Sequence, residues 1–337
     1  MISMFNRRLV QAAIATGLLV SLAGCYYLQA ARGQLELMRT SESIDALINA
    51  QATPAELVRR LQLVQDARIF SIAKLGLPDN DSYRSYADIE REYVVWNVVA
   101  APEFSLSAKR WCFPVAGCVN YRGYFSEQAA QRQAAKLEQQ GYDVAVGGVA
   151  AYSTLGKFSD PVLNTMMRWD DVGLVAVMFH ELAHQLLYVK GDSGFNESFA
   201  TAVEEIGIER WLASREPGPG AEAYRERRQL RQRLMQIVAA ARSDLDEIYS
   251  SQSGVEQKRS RKQHRLERLT ADLNVEFEKS GDARPNWLRA GLNNARLASL
   301  ILYHGRLPEF RRLLRACDGD IRCFYARARE LAEVAPG

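Results

Sequence analysis

The sequence predicts an α+β fold that is mainly helical, with a small sheet beside two antiparallel helices and a charged helical hairpin protruding from that body. Three observations predict it. An apolar helical run from Asp170 to about Val189 is followed, across a glycine-bearing link, by a second from about Asn196 to Leu212. Short segments rich in β-branched and aromatic residues precede that pair, between Tyr93 and Val149. Residues 221–275 then turn dense in Arg, Glu, Gln and Lys with sparse apolar positions, the pattern of solvated helices.

The chain opens with targeting information. Arg7 and Arg8 precede an apolar run from Leu9 to Leu22, which ends in Leu22-Ala23-Gly24-Cys25. A run this short reads as a secretory signal peptide, residues 1–24, rather than a membrane span. The small residues let an extended backbone enter a peptidase groove. The tetrad resembles the lipobox of bacterial lipoproteins, which implies that Cys25 is lipidated and becomes the N-terminus. That places the chain in a bacterial envelope, in contact with the membrane through a lipid anchor. By resemblance to known lipoprotein sorting, Tyr26 in place of an aspartate implies the outer membrane, facing the periplasm. The competing reading is an uncleaved helical anchor with an incidental cysteine.

Residues 25–90 form a helical segment, with Leu35, Leu37 and Met38, then Ile44, Leu47 and Ile48, then Leu57, Leu61, Val64 and Ile69 at helical spacing. Leu77 to Ser82 breaks it with turn formers. Residues 91–215 are the expected catalytic core. Tyr93 to Ala100 reads as a buried strand, with further strands around Phe113 to Tyr124 and Asp143 to Val149, the last continuing through Ala150 to Ser153. Gly147-Gly148 marks a bulge, a close approach or an ordinary kink. Asp170 or Asp171 caps the first apolar helix, and Asn196 the second. Pro217 to Gly220 ends the core.

The hairpin occupies 216–275, split at Ser250 to Gly254. Its basic cluster, Lys258 to Lys262, reads as a solvated face, or as a contact to anionic lipid or a partner. Helices in 276–337 pack on the core.

The net charge of +3 falls to about +1 once Arg7 and Arg8 are removed, which leaves no electrostatic footprint for nucleic acid. In an exported chain, Cys112 with Cys118 and Cys317 with Cys323 are candidate local disulfides. Pairing across the two groups stays open at this point. A zinc cluster lacks the two-residue cysteine spacing and a nearby histidine.

The chemistry rests on His180-Glu181-Leu182-Ala183-His184. Positions i and i+4 share a helix face, so both imidazoles reach one ion, while Glu181 projects beside them towards a water that it deprotonates. The chain has four histidines, and two stand at this spacing. Histidines merely satisfied in a core would put two polar rings in an apolar helix without purpose. Hydrolytic zinc takes three protein ligands and keeps a fourth position open. Asn196-Glu197-Ser198-Phe199-Ala200, on the next helix, supplies the best third ligand in Glu197. Glu204 shares its face, as an alternative ligand or a group orienting a histidine. Glu205 reads equally as a solvated surface acid.

These residues resemble the gluzincins, the group of thermolysin and the zinc aminopeptidases, whose Asn-Glu-containing helix supplies a glutamate ligand. From about Tyr83 to Leu212 the chain is more closely similar to a bacterial family of putative aminopeptidases, often lipoproteins. The carrying text is Tyr93-Val94-Val95-Trp96-Asn97-Val98, Cys112 to Cys118 and Gly147 to Gly156. The resemblance implies a zincin-like core, a Zn2+ ion on His180, His184 and Glu197, Glu181 as general base, and a peptide or protein substrate. It also implies an oxyanion donor: Tyr303 first, since related peptidases use a tyrosine from a later helix, with Tyr152 and His304 behind it. His264 lies in the hairpin and reads as solvated. Two departures stand out. The link before Glu197 is shorter than usual, and Gly148 to Tyr152 lacks the acid that grips a free amine in zinc aminopeptidases. A non-catalytic metal-binding lipoprotein with a chaperone or assembly role is the alternative, and a structural lipoprotein docking a partner through its hairpin is a third.

Overall fold

A computed structural model describes residues 26–334, apart from 114, 115, 152 and 217. The leader and Cys25 lie outside the described residues, as does Tyr152. In chain order, helix α1 covers residues 26–40. It is followed by β1 (Ser41–Ser43), α2 (Ile44–Asn49), α3 (Ala55–Leu75), β2 (Ser85–Ala87), β3 (Val95–Pro102), β4 (Trp111–Phe113), β5 (Gly117–Val119) and β6 (Arg122–Tyr124). Then come α4 (Glu127–Glu138), β7 (Tyr142–Val149), β8 (Val162–Leu163), α5 (Asp171–Leu186) and α6 (Ser193–Ala213). The chain closes with α7 (Pro219–Ser250), α8 (Val255–Ser280), α9 (Asn286–Arg289), α10 (Asn294–His304), α11 (Leu307–Ala316) and α12 (Ile321–Val334). The class is α+β and mainly helical, as the sequence predicts.

Among the described residues, three small sheets support the helices. β3 lies between β6 and β7, antiparallel to both. One of its faces buries Val98 and Ala100 against α4 residues Ala130 and Leu137, and the other carries Val99 and Ala101, with Ala145 of β7, against Ala295 of α10. β2 joins antiparallel β1 to parallel β8. β4 and β5 form a hairpin closed by Cys112–Cys118.

The strand boundaries shift from those expected. β3 begins at Val95, and β7 ends at Val149, so residues 150 and 151 do not prolong it. The ladder stops there because the Ala150 carbonyl accepts the Thr165 hydroxyl instead of a strand amide. Gly147-Gly148 is no bulge, since the β3–β7 register runs unbroken from Val95↔Val149 to Pro102↔Tyr142. A close approach explains Gly148: a Cβ there would stand 2.2 Å from the Tyr93 ring.

α5 is capped by Asp170, whose carboxylate accepts the Gly173 amide at 2.7 Å. α6 starts earlier than expected because Asp192 takes the cap, accepting from the Phe195 amide at 2.8 Å. Asn196 therefore sits inside the helix. Its side chain accepts from the Val189 amide at 2.7 Å and donates to the Val189 carbonyl at 2.8 Å, locking the short link between the helices. α5, α6 and α3 enclose the main core. Phe179 is fully buried between Phe70 and Trp211, a burial contributing roughly 1.5–3 kcal/mol.

α7 and α8 form the expected hairpin, and its charge density hides an apolar seam. Leu230, Leu234, Val238, Leu245 and Ile248 meet Leu266, Leu269, Leu273 and Phe277. The hairpin is tied down rather than standing free. Near its turn, Arg259 pairs with Glu103, and Lys262 with Asp143 at 2.7 Å; nearer its base, Arg227 holds Asp170 at 2.7 Å. Three members of the basic cluster are thus engaged internally, Lys258 through the Tyr249 carbonyl. Cys317–Cys323 bridges the start of the α11–α12 link to α12.

Candidate metal centre

One turn of α5 separates His180 and His184, and their ring centroids lie 4.9 Å apart. The antiparallel packing of α6 on α5 brings Glu197 to both. Its Oε2 lies 3.3 Å from His180 Nε2 and 3.7 Å from His184 Nε2. One ligand atom from each of the three residues falls within 4.8 Å of the others. Ligand atoms around a tetrahedral zinc, each about 2.1 Å from the ion, stand roughly 3.4 Å apart. Spacing and donor set therefore fit one divalent cation, a possible metal-binding triad that lines a cleft, with His184 and Glu197 buried and His180 partly so.

The protonation pattern in the metal-free protein supports the same fit. Burial opposes charge on His180, but hydrogen bonds to Glu197 and Glu204 push its pKa up to about 10. Burial likewise opposes charge on Glu197, yet His184 and His180 hold it down to about 2. An anionic carboxylate facing a cationic imidazole occupies the place where a cation would replace a proton. Glu204 lies behind the His180 ring and not beside the three donors: its Oε2 meets His180 Nδ1 at 3.2 Å, on the ring edge away from Glu197. His184 Nδ1 is buried with no hydrogen-bond partner among the described residues. Glu205, expected to be as readily solvated, is buried and bound by Arg311 at 2.7 Å and Arg228 at 3.1 Å. It turns away from the site into a structural ion-pair network.

Glu181 is buried beside the triad. Burial raises its pKa, and Glu197 adds to the rise against the pull of His184 and His180. A carboxylate so placed accepts a proton more readily than an exposed one. The cleft around it has a volume of about 930 Å3. Its walls come from Gly148 to Ala151 at the end of β7, from the disulfide hairpin (Phe113, Ala116, Val119) and from Tyr26 and Ala30 of α1.

Tyr303, from α10, reaches this cleft, and the charge of Glu197, followed by burial, raises its pKa well above the usual range, so its hydroxyl keeps its proton. Tyr121 does the same from the β5–β6 turn, raised first by burial and then by Glu197. Sequence reasoning missed Tyr121, because nothing in the local pattern at 120–122 brings that turn to the cleft beside Glu197. Tyr188 also lines the cleft, donating to the Ala116 carbonyl at 3.1 Å. His264 is exposed on α8, away from the site. The short link runs close against the start of β5: a Cβ on Gly117 would stand 2.6 Å from the Lys190 side chain.

Fold and site together define a mainly helical α+β protein whose two paired helices present a His-Glu-x-x-His sequence and a third acidic donor inside a deep cleft. A sequence model of the family described as "Putative aminopeptidase" matches residues 25–336. The chain belongs to that family, and membership supports a peptidase-like function in broad terms. No curated protein and no solved structure matches the chain significantly.

Proposed function

We propose that the chain is a zinc-dependent peptidase with a zincin-like core, hydrolysing peptide bonds of peptide or protein substrates at the envelope membrane to which Cys25 anchors it. The convergence of His180, His184 and Glu197 within 4.8 Å carries this reading. These three residues would hold the ion. Bound zinc would supply a Lewis acid for the scissile carbonyl and acidify the attacking water. Glu181 takes the proton of that water and later delivers it to the leaving amine. Its burial keeps the carboxylate basic enough to hold the proton between the two steps. Glu204 fixes the His180 ring through Nδ1. Tyr303, with its hydroxyl protonated, donates to the oxyanion; Tyr121 stands ready for the same task.

Glu181→Gln preserves shape and removes the base. Wild type and variant are compared on peptides with free and blocked N-termini. The expected result is cleavage by the wild type alone, with folding unchanged. Equal cleavage by both would overturn the assignment of Glu181. Preference for free N-termini would define an exopeptidase.

A further inference from the structure

Helix α1 has two apolar faces, and the protein covers one of them. On the inner face Leu37 is fully buried, and a Cβ on Gly33 would stand 2.2 Å from the Phe125 ring, so the helix lies hard against the body. Tyr26 stacks on Phe113 at 5.4 Å, and the Arg122 guanidinium sits 4.1 Å over its ring. Gln29 accepts from the Phe125 amide at 3.0 Å. The helix is thus clamped from its first turn and is no slack tether.

The outer face carries Leu28, Leu35 and Met38, which are 52%, 43% and 53% exposed, with Tyr27 beside them at 46%. Spacings of seven and three put the first three on one stripe, about 15 Å long. Of nine large hydrophobic side chains exposed among the described residues, four are in this one helix. The exposed charges interleaved with the stripe, Arg32 and Arg39, are both positive, whereas Glu36 is held by Arg91 at 3.0 Å. A stripe of this kind, flanked by long cationic side chains, suits the boundary between headgroups and acyl chains.

The chain just ahead of α1 says what covers the stripe. Cys25 precedes the clamped Tyr26 directly, at the end of the Leu22-Ala23-Gly24-Cys25 tetrad. The geometry points to a bilayer surface as the partner: α1 lies in the membrane interface on its Leu28–Leu35–Met38 stripe. This rests on the reading of Cys25 as the lipid-bearing residue. An acyl anchor there brings the first turn to the bilayer, and the stripe continues along the surface. No helix among the described residues is long and apolar enough to cross a membrane, so the contact is interfacial. Tyr26 and Ala30 also line the cleft. One helix diameter, about 10 Å, then separates lipid from the substrate-binding wall, and the substrates favoured are polypeptide segments held close to the membrane.

The test uses the full lipidated chain in vesicles of phosphatidylethanolamine and phosphatidylglycerol. Leu35→Cys, Met38→Cys and, as a control on the hairpin, Arg268→Cys each carry one environment-sensitive fluorophore, the other cysteines being lipidated or in disulfides. At 35 and 38 the emission is expected to shift to shorter wavelength and to be quenched by lipids brominated in their acyl chains; at 268 it does neither. Unquenched labels at 35 and 38 on protein that still floats with vesicles would overturn the proposal while leaving the anchor standing. Protein that does not float would overturn both. A blue shift already present in lipid-free detergent, with a doubled mass, would assign the stripe to a second copy and overturn the proposal. Metal content and peptide cleavage of the labelled variants report on the peptidase reading separately.

Discussion

Glu204→Ala removes the carboxylate that holds His180 without touching any of the three triad residues. The lost contact is the 3.2 Å bond between Glu204 Oε2 and His180 Nδ1, made where both side chains are 12% exposed. A hydrogen bond to a charged group is worth about 1.5–3 kcal/mol, and loss of a carboxylate behind a ligating imidazole lowers metal affinity about 10–100-fold. The two estimates agree, since that range corresponds to roughly 1.4–2.7 kcal/mol. Arg231, 3.8 Å from the other Glu204 oxygen, is already 38% exposed and returns to water at little cost. The loss therefore falls on His180. Competition titration of metal-free protein with zinc against a chromophoric chelator measures it. A variant that binds zinc within twofold of wild type would refute the orienting role of Glu204.

In the metal-free protein His180 has a pKa of about 10, above its ordinary 6.5. Its charged contacts therefore stabilise the folded state fully below pH 6.5, and that contribution is lost as pH rises through about 10. Zinc binding at pH 8 should accordingly release about one proton more than it does above pH 10, the difference coming from His180; calorimetry in buffers of different ionisation enthalpy reads this directly, and equal release at the two pH values would contradict the contacts described. Gly207→Val tests the packing behind the site, where a Cβ would meet Phe179 at 2.7 Å and Leu75 at 2.9 Å. Overpacking there should cost about 2 kcal/mol or more by denaturant unfolding, and unchanged stability would show that α6 does not press on α5 at that point.

What the sequence made legible was local chemistry. The two histidines share a face because helical spacing dictates it, and the glycine-bearing link to the next helix made Glu197 the natural third donor. Each disulfide closes within its own pair, but spacing alone left the cross-pairing open. Features that needed the packed fold were not legible. Tyr121 enters the cleft from the β5–β6 turn, packed against Val99, Ala101, Ala145 and Ala295 from distant parts of the chain, and α1 becomes a cleft wall because Gly33 admits Phe125. Asn196 has good capping chemistry, yet Asp192 stands one turn earlier and takes the cap. Glu205 read as readily solvated because Arg311, which buries it, lies 106 residues further along the chain. The basic cluster looked free because Glu103 and Asp143 come from the strand layer.

The central claim is that His180, His184 and Glu197 converge on one divalent cation. Metal analysis of purified protein tests it most directly, comparing the wild type with His184→Ala, Glu197→Ala and Glu181→Gln. The account predicts one zinc per chain in the wild type and in Glu181→Gln, and its loss from the other two. Zinc retained in full by both His184→Ala and Glu197→Ala, or absent from the wild type after zinc supplementation, would contradict it.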